Sequence, residues 1–353
     1  WGYMGPVVKQ GDELHVVRYL SVSSYGGYQL GSINRYNATT GASLGTATIS
    51  YNNCSNLNVY YLTDATSDGD GTVWMTSFYQ SLSTYAGITK WSVSSTANGV
   101  TYTCDSYWAT LEVGGISIDP ETNDMYVVQR TRASNQYDMD LWRVSRSQPN
   151  VALQTWSLGT ISPSGSMGVA SSYVKPAGLS VQMPRIAVNV YCYYYTYMYA
   201  YCDDNRLSWV NVYHQRSNWP ELQGEIPSPY AILGMENIEG QLAATCFYGS
   251  STAYCPSPTS RKILMTGGSA ADWMGTPSSS TATITSSIET LNRPLSELRL
   301  GLTATWEPAG TSIDFEKMSE ATLKGAFTGA VAGGIGGTLG ARGASSFTNG
   351  MGW

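Results

Sequence analysis

Three aspartates near residue 64 form the pattern that comes nearest to a metal site in this chain. Asp64 precedes a Ser-Asp-Gly-Asp-Gly segment that contains Asp68 and Asp70. Alternate carboxylates on a turn suit hard cations such as Ca²⁺, which bind oxygen ligands. The segment lacks the third spaced acid and the distal Glu of an EF-hand loop. A glycine-assisted hairpin turn accounts for the same residues and is the preferred interpretation, with calcium as the possible cofactor.

Residues that usually perform catalysis are few. His15 and His214 are the only histidines, and neither lies near a Ser or Cys in a nucleophile motif such as G-x-S-x-G. Phosphate-binding, dinucleotide-binding and H-E-x-x-H motifs do not occur. Glycoside hydrolysis needs two carboxylates about 5 to 10 Å apart. The acidic pairs that could serve are Asp138 with Asp140, and Asp203 with Asp204. The sequence does not give their distances, and we predict that the chain is not an enzyme.

One pattern recurs along the chain: an apolar run, a tight turn rich in Asp, Gly or Asn, and a second β-type run. The copies begin at Pro6, Thr63, Gly114, Ala177 and Ala231. A third apolar run follows each copy, at 33–36, 88–91, 141–144, 207–210 and 261–264. The third runs recur about every 53 to 66 residues, which suits a four-stranded sheet and is too long for a solenoid turn.

The recurrence resembles that of β-propellers. The turn DPETND at 119–124 followed by MYVV at 125–128 looks like a propeller hairpin, and INRYNATTG at 33–41 looks like the outer hairpin of a blade. The resemblance covers roughly residues 6 to 270 and implies an all-β fold of five to seven four-stranded blades. A β-sandwich or jelly roll with fortuitous spacing is the alternative.

The domain boundaries are predicted from the point at which the recurring pattern of apolar runs and turns can no longer be recognised. Residues 1–275 are predicted to form the propeller-like domain. The Ser/Thr-rich segment 276–311 is either the last blade or a linker, and 298–306 alternates as a strand should. Residues 312–353 form a glycine-rich tail.

Six cysteines predict disulfides, since their spacing does not match that of zinc sites. Cys192 and Cys246 lie in second runs, and each has a cysteine nine or ten positions later, Cys202 and Cys255. Two hairpin-spanning bridges are therefore expected. Cys54 and Cys104 follow the third runs of neighbouring copies, so they could join two adjacent blades.

Disulfides indicate an oxidising compartment, and we predict an extracellular or cell-surface protein. The sequons at Asn37 and Asn53 fit glycosylation there. The chain begins at Trp1 without a signal sequence, which we interpret as a mature form whose signal peptide has been removed.

The composition of the chain indicates which classes of molecule it is expected to bind. The net charge is −6, and Lys and Arg do not cluster, which argues against nucleic acid as a partner. Tyr is abundant, at 26 residues against 5 Phe, while charged residues make up only 12% of the chain. Tyr-rich, charge-poor surfaces favour contacts with proteins or glycans, because Tyr offers a large rigid contact area.

The tail carries glycines at helical spacing. Two rows fall on a four-residue period: Gly325, Gly329, Gly333 and Gly337, and then Gly336 and Gly340. In a helix such rows give a flat stripe on which another helix can pack closely. A self-associating helix is one interpretation; an extended arm docked on a neighbouring subunit and a flexible end are the others.

These features together predict a non-enzymatic structural subunit of an extracellular assembly, such as a filament, surface layer or virion surface. Copies of the chain would associate through the tail, with the cell envelope or a glycan as further possible partners. A receptor- or glycan-binding surface spike is the first alternative. A propeller glycosidase or lyase acting on polysaccharide is the second.

Overall fold

Strands joined by turns make up the described part of the chain. The computed structural model describes residues 3–22, 27–38, 42–54, 62–78, 86–97, 99–110, 112–133, 136–160, 174–192, 195–196, 199–200, 208–228, 232–238, 241–246, 262–266 and 306–314. These residues contain strands and turns only. Within these ranges, no helix is long and apolar enough to cross a membrane.

The strands form consecutive four-stranded antiparallel units, here called blades 1 to 5. Blade 1 comprises β1 (Tyr3–Gln10), β2 (Glu13–Val22), β3 (Gly27–Asn37) and β4 (Ser43–Ser50). Blade 2 comprises β5 (Leu62–Ser67), β6 (Thr72–Ser77), β7 (Gly87–Thr96) and β8 (Gly99–Ala109). Blade 3 comprises β9 (Val113–Ile118), β10 (Met125–Ala133), β11 (Gln136–Ser145) and β12 (Gln148–Thr160).

The last two blades contain longer connections. Blade 4 comprises β13 (Val174–Gln182), β14 (Arg185–Cys192), β17 (Ser208–Gln215) and β18 (Pro220–Ser228), with a small hairpin of β15 (Tyr195–Thr196) and β16 (Tyr199–Ala200) between its second and third strands. Blade 5 comprises β19 (Ile232–Ile238), β20 (Gln241–Cys246), β21 (Lys262–Thr266) and β22 (Trp306–Asp314).

Local turn chemistry explains where the inner hairpins reverse. In the β5–β6 turn, Asp68 accepts hydrogen bonds at Oδ1 from the backbone N–H groups of Asp70 and Thr72. Gly69 and Gly71 have φ values of 80° and 81°, a region that side chains other than glycine rarely adopt. The Asp-Gly-Asp-Gly sequence therefore closes this hairpin, as the preferred interpretation of the sequence had it.

The first strands of the five blades surround a common axis. β1, β5, β9, β13 and β19 neighbour one another in that order, and β19 returns to contact β1. Side chains between the blades form the main core, with Trp91, Tyr102 and Leu141 among its fully buried members. The predicted all-β propeller-like fold is confirmed, and the described strands form five blades.

Each blade is formed by described strands that follow one another along the chain, and within the described residues no strand from blade 1 completes blade 5 or the reverse. Blades 5 and 1 instead meet through packing and hydrogen bonds. The Thr245 hydroxyl donates to the carbonyl of Gly5. A Cβ added at Gly234 would lie 3.0 Å from Pro6, so β19 and β1 pack backbone to backbone.

Blades 1 and 2 share one continuous eight-stranded sheet. The outer strands β4 and β8 pair in parallel through Thr48–Thr101, Ile49–Tyr102 and Ser50–Thr103. Immediately beyond β4, a disulfide joins Cys54 to Cys104 of β8. The predicted bridge between adjacent blades is therefore confirmed. Cys192 lies on β14 and Cys246 on β20, whereas Cys202 and Cys255 lie outside the described residues, so those two pairings stay predictions.

The segment after residue 275 supplies the last strand of blade 5. β22 pairs with β21 through Ile263–Ile313 and Met265–Glu307, among others. Position 311, where the predicted domains were divided, falls inside this strand. The glycines of the predicted tail stripe lie outside the described residues: Gly325, Gly329, Gly333, Gly336, Gly337 and Gly340.

Candidate ligand-binding face

One carboxylate joins the inner strands at the axis of the propeller. Asp64 on β5 accepts hydrogen bonds at Oδ2 from the backbone N–H groups of Ile116 (2.9 Å) and Leu179 (2.8 Å). Its Oδ1 accepts from the N–H of Met235 at 2.9 Å. The Asp64 side chain is fully buried, and its partners belong to blades 3, 4 and 5. Through these three hydrogen bonds Asp64, which lies in blade 2, joins four blades at the axis.

Glycines allow the inner strands to approach closely around Asp64. A Cβ at Gly115 would lie 2.8 Å from Gly178 and Leu179, and one at Gly178 would lie 2.7 Å from Gly234. These distances are shorter than a real Cβ tolerates, so side chains are excluded here. Protein atoms therefore fill the axis at this level.

A second carboxyl group lies beside Asp64. Glu236 on β19 is enclosed by protein although part of its surface remains accessible, and it accepts a hydrogen bond from the hydroxyl of Thr66. Burial and the neighbouring Asp64 raise the pKa of Glu236 well above its usual range. Burial likewise raises the pKa of Asp64 to about 8, against the opposing effect of its N–H donors. The pair therefore retains protons that exposed carboxyl groups release.

The end of the propeller at which β5, β9, β13 and β19 begin is called the upper face. The residues that define it are Leu62, Val113, Val174 and Ile232. Just before β9, Glu112 binds the guanidinium of Arg130 through two hydrogen bonds, of 2.9 Å from Nε and 3.2 Å from Nη2. Arg130 Nη1 donates to the carbonyl of Val174 at 2.9 Å. This ion pair thus ties the starts of β9 and β13 together.

Backbone conformation places Glu112 for that contact. Its φ is 61°, in the left-handed region that is uncommon for residues other than glycine. The Glu112 carbonyl also accepts the backbone N–H of Arg130 at 2.9 Å. Main chain and side chain of Glu112 therefore both bind Arg130. Non-glycine residues held in this region concentrate at functional sites, which directs attention to this cluster.

Lys175, the second residue of β13, completes the cluster at the upper face. Its Nζ lies 4.9 Å from the ring centroid of Phe78 and 5.8 Å from that of Tyr191. Arg130 also lies over Phe78, with its Cζ 5.0 Å from the centroid. Lys175 keeps 8% of its surface accessible. Aromatic faces attract cations, so the rings fix the ammonium at the mouth of the inner-strand ring.

The surroundings of Lys175 favour its neutral form. Burial, followed by the positive charge of Arg130, lowers the pKa of Lys175 to about 7. An ammonium that titrates near neutrality can change its charge in the pH range of most extracellular fluids. Strongly shifted lysines in a cleft are candidates for binding or chemistry.

A half-buried tryptophan adds an aromatic surface near this cluster. Trp108, near the end of β8, stacks on Trp74 with ring centroids 5.8 Å apart. It packs against the core group that contains Val113, the residue that follows Glu112. Trp108 and Val113 therefore belong to the same packed group of side chains from blades 2 and 3.

The three aspartates considered as calcium ligands, Asp64, Asp68 and Asp70, do not form a group in the structure. Both oxygens of Asp64 are bound at the axis, whereas Asp68 binds its own turn and lies 3.6 Å from Arg146. Asp70 is exposed on the turn. Among the residues that the structure describes, no three His, Cys, Asp or Glu side chains are grouped to hold a metal.

The two histidines have different surroundings. His15 is buried on β2, with Nδ1 2.6 Å from the Tyr102 hydroxyl and Nε2 2.8 Å from a Glu13 oxygen. Glu13 in turn binds Arg35 through two bonds of 2.7 Å. Both ring nitrogens of His15 are engaged, and burial lowers its pKa, so it connects blades 1 and 2. His214 lies on β17 of blade 4 and pairs with Arg185, at the end of that blade opposite Lys175.

One of the acidic pairs considered for hydrolysis lies on a described strand. Asp138 and Asp140 are two apart on β11 and therefore face the same side of the blade. Asp140 is half-buried and accepts a hydrogen bond from Thr131 at 3.3 Å, and burial raises its pKa. Asp203 and Asp204 lie outside the described residues.

The predicted glycosylation sites lie at strand ends. Asn37 is the last residue of β3, and Asn53 is exposed in the turn after β4. Asn53 is next to the bridged Cys54, which lies at the outer edge shared by blades 1 and 2. Glycosylation of either residue stays a prediction.

Sequence reasoning missed the cluster of Glu112, Arg130 and Lys175. A signal was present for Lys175, because it stands in the largely apolar run VKPAGLSV, whereas Arg130 lies among the polar residues of QRTR and carried no such signal. A charged residue at a core position of a strand usually has a specific partner. The identity of that partner depended on the packing of blades 3 and 4, which no local pattern encodes.

Comparison with known proteins identifies similar solved structures but no protein family. No protein-family model and no curated protein matches the chain. An arabinanase of Bacillus subtilis is 11% identical, with a TM-score of 0.40, over 74% of this chain and 91% of that one. The GH43_1 enzyme of Xanthomonas citri, solved with xylose, is 10% identical, with a TM-score of 0.44, over 74% and 86% of the two chains. The β-propeller domain of a trilobed protease from Pyrococcus furiosus is 8% identical, with a TM-score of 0.32, over 75% and 69%.

The hydrazine synthase of Kuenenia stuttgartiensis also matches, at 11% identity and a TM-score of 0.34. The chain spans 64% of the length of that protein. Identities and scores this low do not transfer an activity to this chain.

The prediction of a non-enzymatic structural subunit is wrong on this comparison. The similar structures are mostly enzymes, among them glycoside hydrolases, and give no support for a filament or surface-layer subunit. The prediction had relied on missing catalytic motifs and on the glycine-rich tail, whose glycines lie outside the described residues. In a propeller, however, neighbouring residues of a site can come from different blades, as Arg130 of blade 3 and Lys175 of blade 4 do, so no contiguous motif is required.

Proposed function

We propose that the chain is an extracellular, glycan-directed β-propeller that binds carbohydrate on its upper face. The observation that carries the proposal is the convergence of Lys175, Arg130 and Glu112 at the mouth of the inner-strand ring, with Phe78 and Tyr191 as the neighbouring aromatic rings. Ligand sites combine aromatic walls with a few fixed polar groups, and this is the composition found here. The closed axis below the cluster leaves the face as the place for a ligand.

Extracellular location is supported by the Cys54–Cys104 bridge, because disulfides persist in oxidising compartments. The abundance of Tyr and the low share of charged residues are consistent with a surface that contacts glycans. A protein in this location would meet glycans that lie outside the cell or on its surface.

The test is binding of the full-length chain to an array of neutral and acidic plant, algal and bacterial oligosaccharides. We expect at least one glycan to bind, and its affinity to fall at least about tenfold in Lys175→Met. The matched control is Lys9→Met, since Lys9 lies at the opposite end of an inner strand. The proposal is overturned if nothing binds, or if both variants reduce affinity equally.

Hydrolysis of the bound glycan is a second candidate, favoured by Asp138 and Asp140. Residues two apart on a strand point to the same side, with Cα atoms separated by about 6.6 Å, and this spacing allows carboxyl groups at the separation of about 5 to 10 Å that glycoside hydrolysis uses. The raised pKa of Asp140 suits a general acid. Product release from a bound oligosaccharide that disappears in both Asp138→Asn and Asp140→Asn would support it. Activity retained in both variants would exclude this pair.

A further inference from the structure

Four polar side chains form one connected series of hydrogen bonds across the junction of blades 1 and 2. Arg35 on β3 donates to both oxygens of Glu13 on β2, through bonds of 2.7 Å from Nε and from Nη2. Glu13 Oε2 lies 2.8 Å from Nε2 of His15, which is also on β2. His15 Nδ1 lies 2.6 Å from the hydroxyl of Tyr102 on β8 of blade 2. His15 and Tyr102 are at most 2% exposed, so water cannot replace these partners.

The chemistry of these groups determines which atom donates in each bond. The hydrogen bonds from Arg35 lower the pKa of the Glu13 carboxyl below its ordinary value, so Glu13 is ionised and can only accept. Nε2 of His15 therefore carries a proton. The other nitrogen of a neutral imidazole is an acceptor, so the Tyr102 hydroxyl donates to Nδ1. All four side chains are satisfied when His15 is neutral.

A proton added to His15 binds at Nδ1, where it faces the Tyr102 hydroxyl. The Tyr102 oxygen can accept this new N–H, but the hydrogen of the hydroxyl then has to turn away. Among the described residues, His15 is the only hydrogen-bond partner of the Tyr102 hydroxyl, and Tyr102 is fully buried. The hydroxyl hydrogen would therefore be buried without an acceptor, which is unfavourable. Separation of β8 from β2 removes this conflict.

We propose that His15 is a pH-sensitive contact between blades 1 and 2, and that its protonation loosens the outer edge that these blades share. Tyr102 is the middle residue of the β8 segment that pairs in parallel with β4, where it lies opposite Ile49. Displacement of Tyr102 therefore weakens this pairing, while the Cys54–Cys104 bridge keeps the two edges connected. The inference goes beyond the proposed glycan binding and does not depend on it.

The pH at which the contact opens follows from the groups around the ring. The charged or titratable groups that face His15 are Glu13 on its own strand, Arg35 on β3 and Tyr102 on β8, and its neighbour on β1 is Val8. Burial is the largest effect and lowers the pKa of His15 below its ordinary value of about 6.5, against the opposing effect of Glu13. The closed junction thus disfavours the added proton. Its stability is fully present above about pH 6.5 and decreases as the pH falls toward the pKa of the folded protein, with the equilibrium constant for opening rising by up to about tenfold per pH unit.

The first test is a titration of the full-length protein with isotope-labelled histidine, because the chain has only two histidines, His15 and His214. Ring nitrogen chemical shifts report the tautomer and the protonation of each ring, and His214→Gln assigns the signals. We expect His15 to carry its proton on Nε2 at about pH 7.5 and to titrate below about pH 6.5. Tyr102→Phe removes the opposing hydroxyl and should raise the pKa of His15.

The second test is hydrogen exchange between about pH 5 and about pH 7.5, corrected for the intrinsic pH dependence of exchange. Peptides that contain β4 and β8 should lose protection in acid relative to β10 and β11 of blade 3. His15→Gln should abolish this loss, because an amide can donate to Glu13 and accept from Tyr102 but does not take up a proton. Circular dichroism verifies that the variant is folded.

Three results would each overturn the proposal. The first is a His15 ring that carries its proton on Nδ1 or titrates at or above about pH 6.5. The second is protection of β4 and β8 that does not change with pH in the wild-type protein, which needs no variant. The third is an equal loss of protection in the wild-type protein and in His15→Gln.

Discussion

Asp64 and Glu236 form an acidic pair in the protein interior, and their effect on the free energy of unfolding depends on whether they are protonated. Asp64 receives N–H donors from blades 3, 4 and 5, whereas Glu236 has the Thr66 hydroxyl. Burial raises both pKa values above those of an unfolded chain. The folded protein therefore holds protons that the unfolded chain releases. The resulting stabilisation is complete below the unfolded pKa values and decreases as the pH rises toward the folded ones, about 8 for Asp64.

We predict that Glu236→Gln makes stability less dependent on pH. Gln cannot ionise, it can accept the Thr66 hydrogen bond, and it removes the repulsion on Asp64. One titrating group changes the free energy of unfolding by about 1.4 kcal/mol per pH unit in this range. Urea unfolding at several pH values between 5 and 8, the window set by these shifts, measures the slope.

Glu121→Gln is the matched control, because Glu121 is exposed in the β9–β10 turn. It should leave the slope of the wild-type protein unchanged. A Glu236→Gln variant with the wild-type slope would show that Glu236 does not hold a proton in the folded protein.

Among the structural elements, the outer edges of blades 1 and 2 are joined most firmly. Strands β4 and β8 pair in parallel, and the Cys54–Cys104 bridge follows directly. The backbone N–H of Asn53 continues the contact by donating to the carbonyl of Cys104. The bridge closes a loop with a sequence separation of 50.

Removal of this bridge by Cys54→Ser with Cys104→Ser is expected to lower the free energy of unfolding by about 4 kcal/mol, because a loop of this length loses closure entropy when cross-linked in the unfolded chain. Guanidinium unfolding provides the measurement, and alkylation under denaturing conditions counts the free thiols. The single variant Cys54→Ser should lose as much stability as the double variant. A decrease below about 1 kcal/mol would mean that strand pairing alone holds the edge.

At the scale of the whole molecule, the ring depends on a strand from far along the sequence. β22 at Trp306–Asp314 is the outer strand of blade 5. We predict that a chain ending at residue 305 melts at least about 5 °C below the full chain, since it leaves β21 without its outer partner. A chain ending at Asp314 keeps every described strand and is the control. Equal melting of the two truncated chains would show that β22 does not stabilise the propeller.

Much of the architecture could be predicted from sequence because it depends on short local patterns of residues. The repeats at Pro6, Thr63, Gly114, Ala177 and Ala231 lie in, or one residue before, β1, β5, β9, β13 and β19, since apolar runs and turn residues mark hairpins directly. The same register brought Cys54 and Cys104 to adjacent outer edges.

The candidate site could not be predicted in the same way. Asp64 looked like part of a turn because it precedes Ser-Asp-Gly-Asp-Gly, yet its partners are the N–H groups of Ile116, Leu179 and Met235. Those partners are up to 171 positions away in sequence. Nearly every residue has a backbone N–H, so the sequence does not show which N–H groups will donate to Asp64. Lys175 likewise acquires its surroundings only when blades 2, 3 and 4 meet.

The continuity of each blade also bears on how the protein is made. Chains emerge from the ribosome N-terminus first, and segments fold as they become available. Blade 1 is complete by Ser50 and blade 2 by Ala109, so neither waits for the C-terminal strands. Cys54 and Cys104 lie in these two blades, so their bridge can form while later blades are still being synthesised. Met235 reaches Asp64 only afterwards, which makes closure of the ring a late step of biosynthesis.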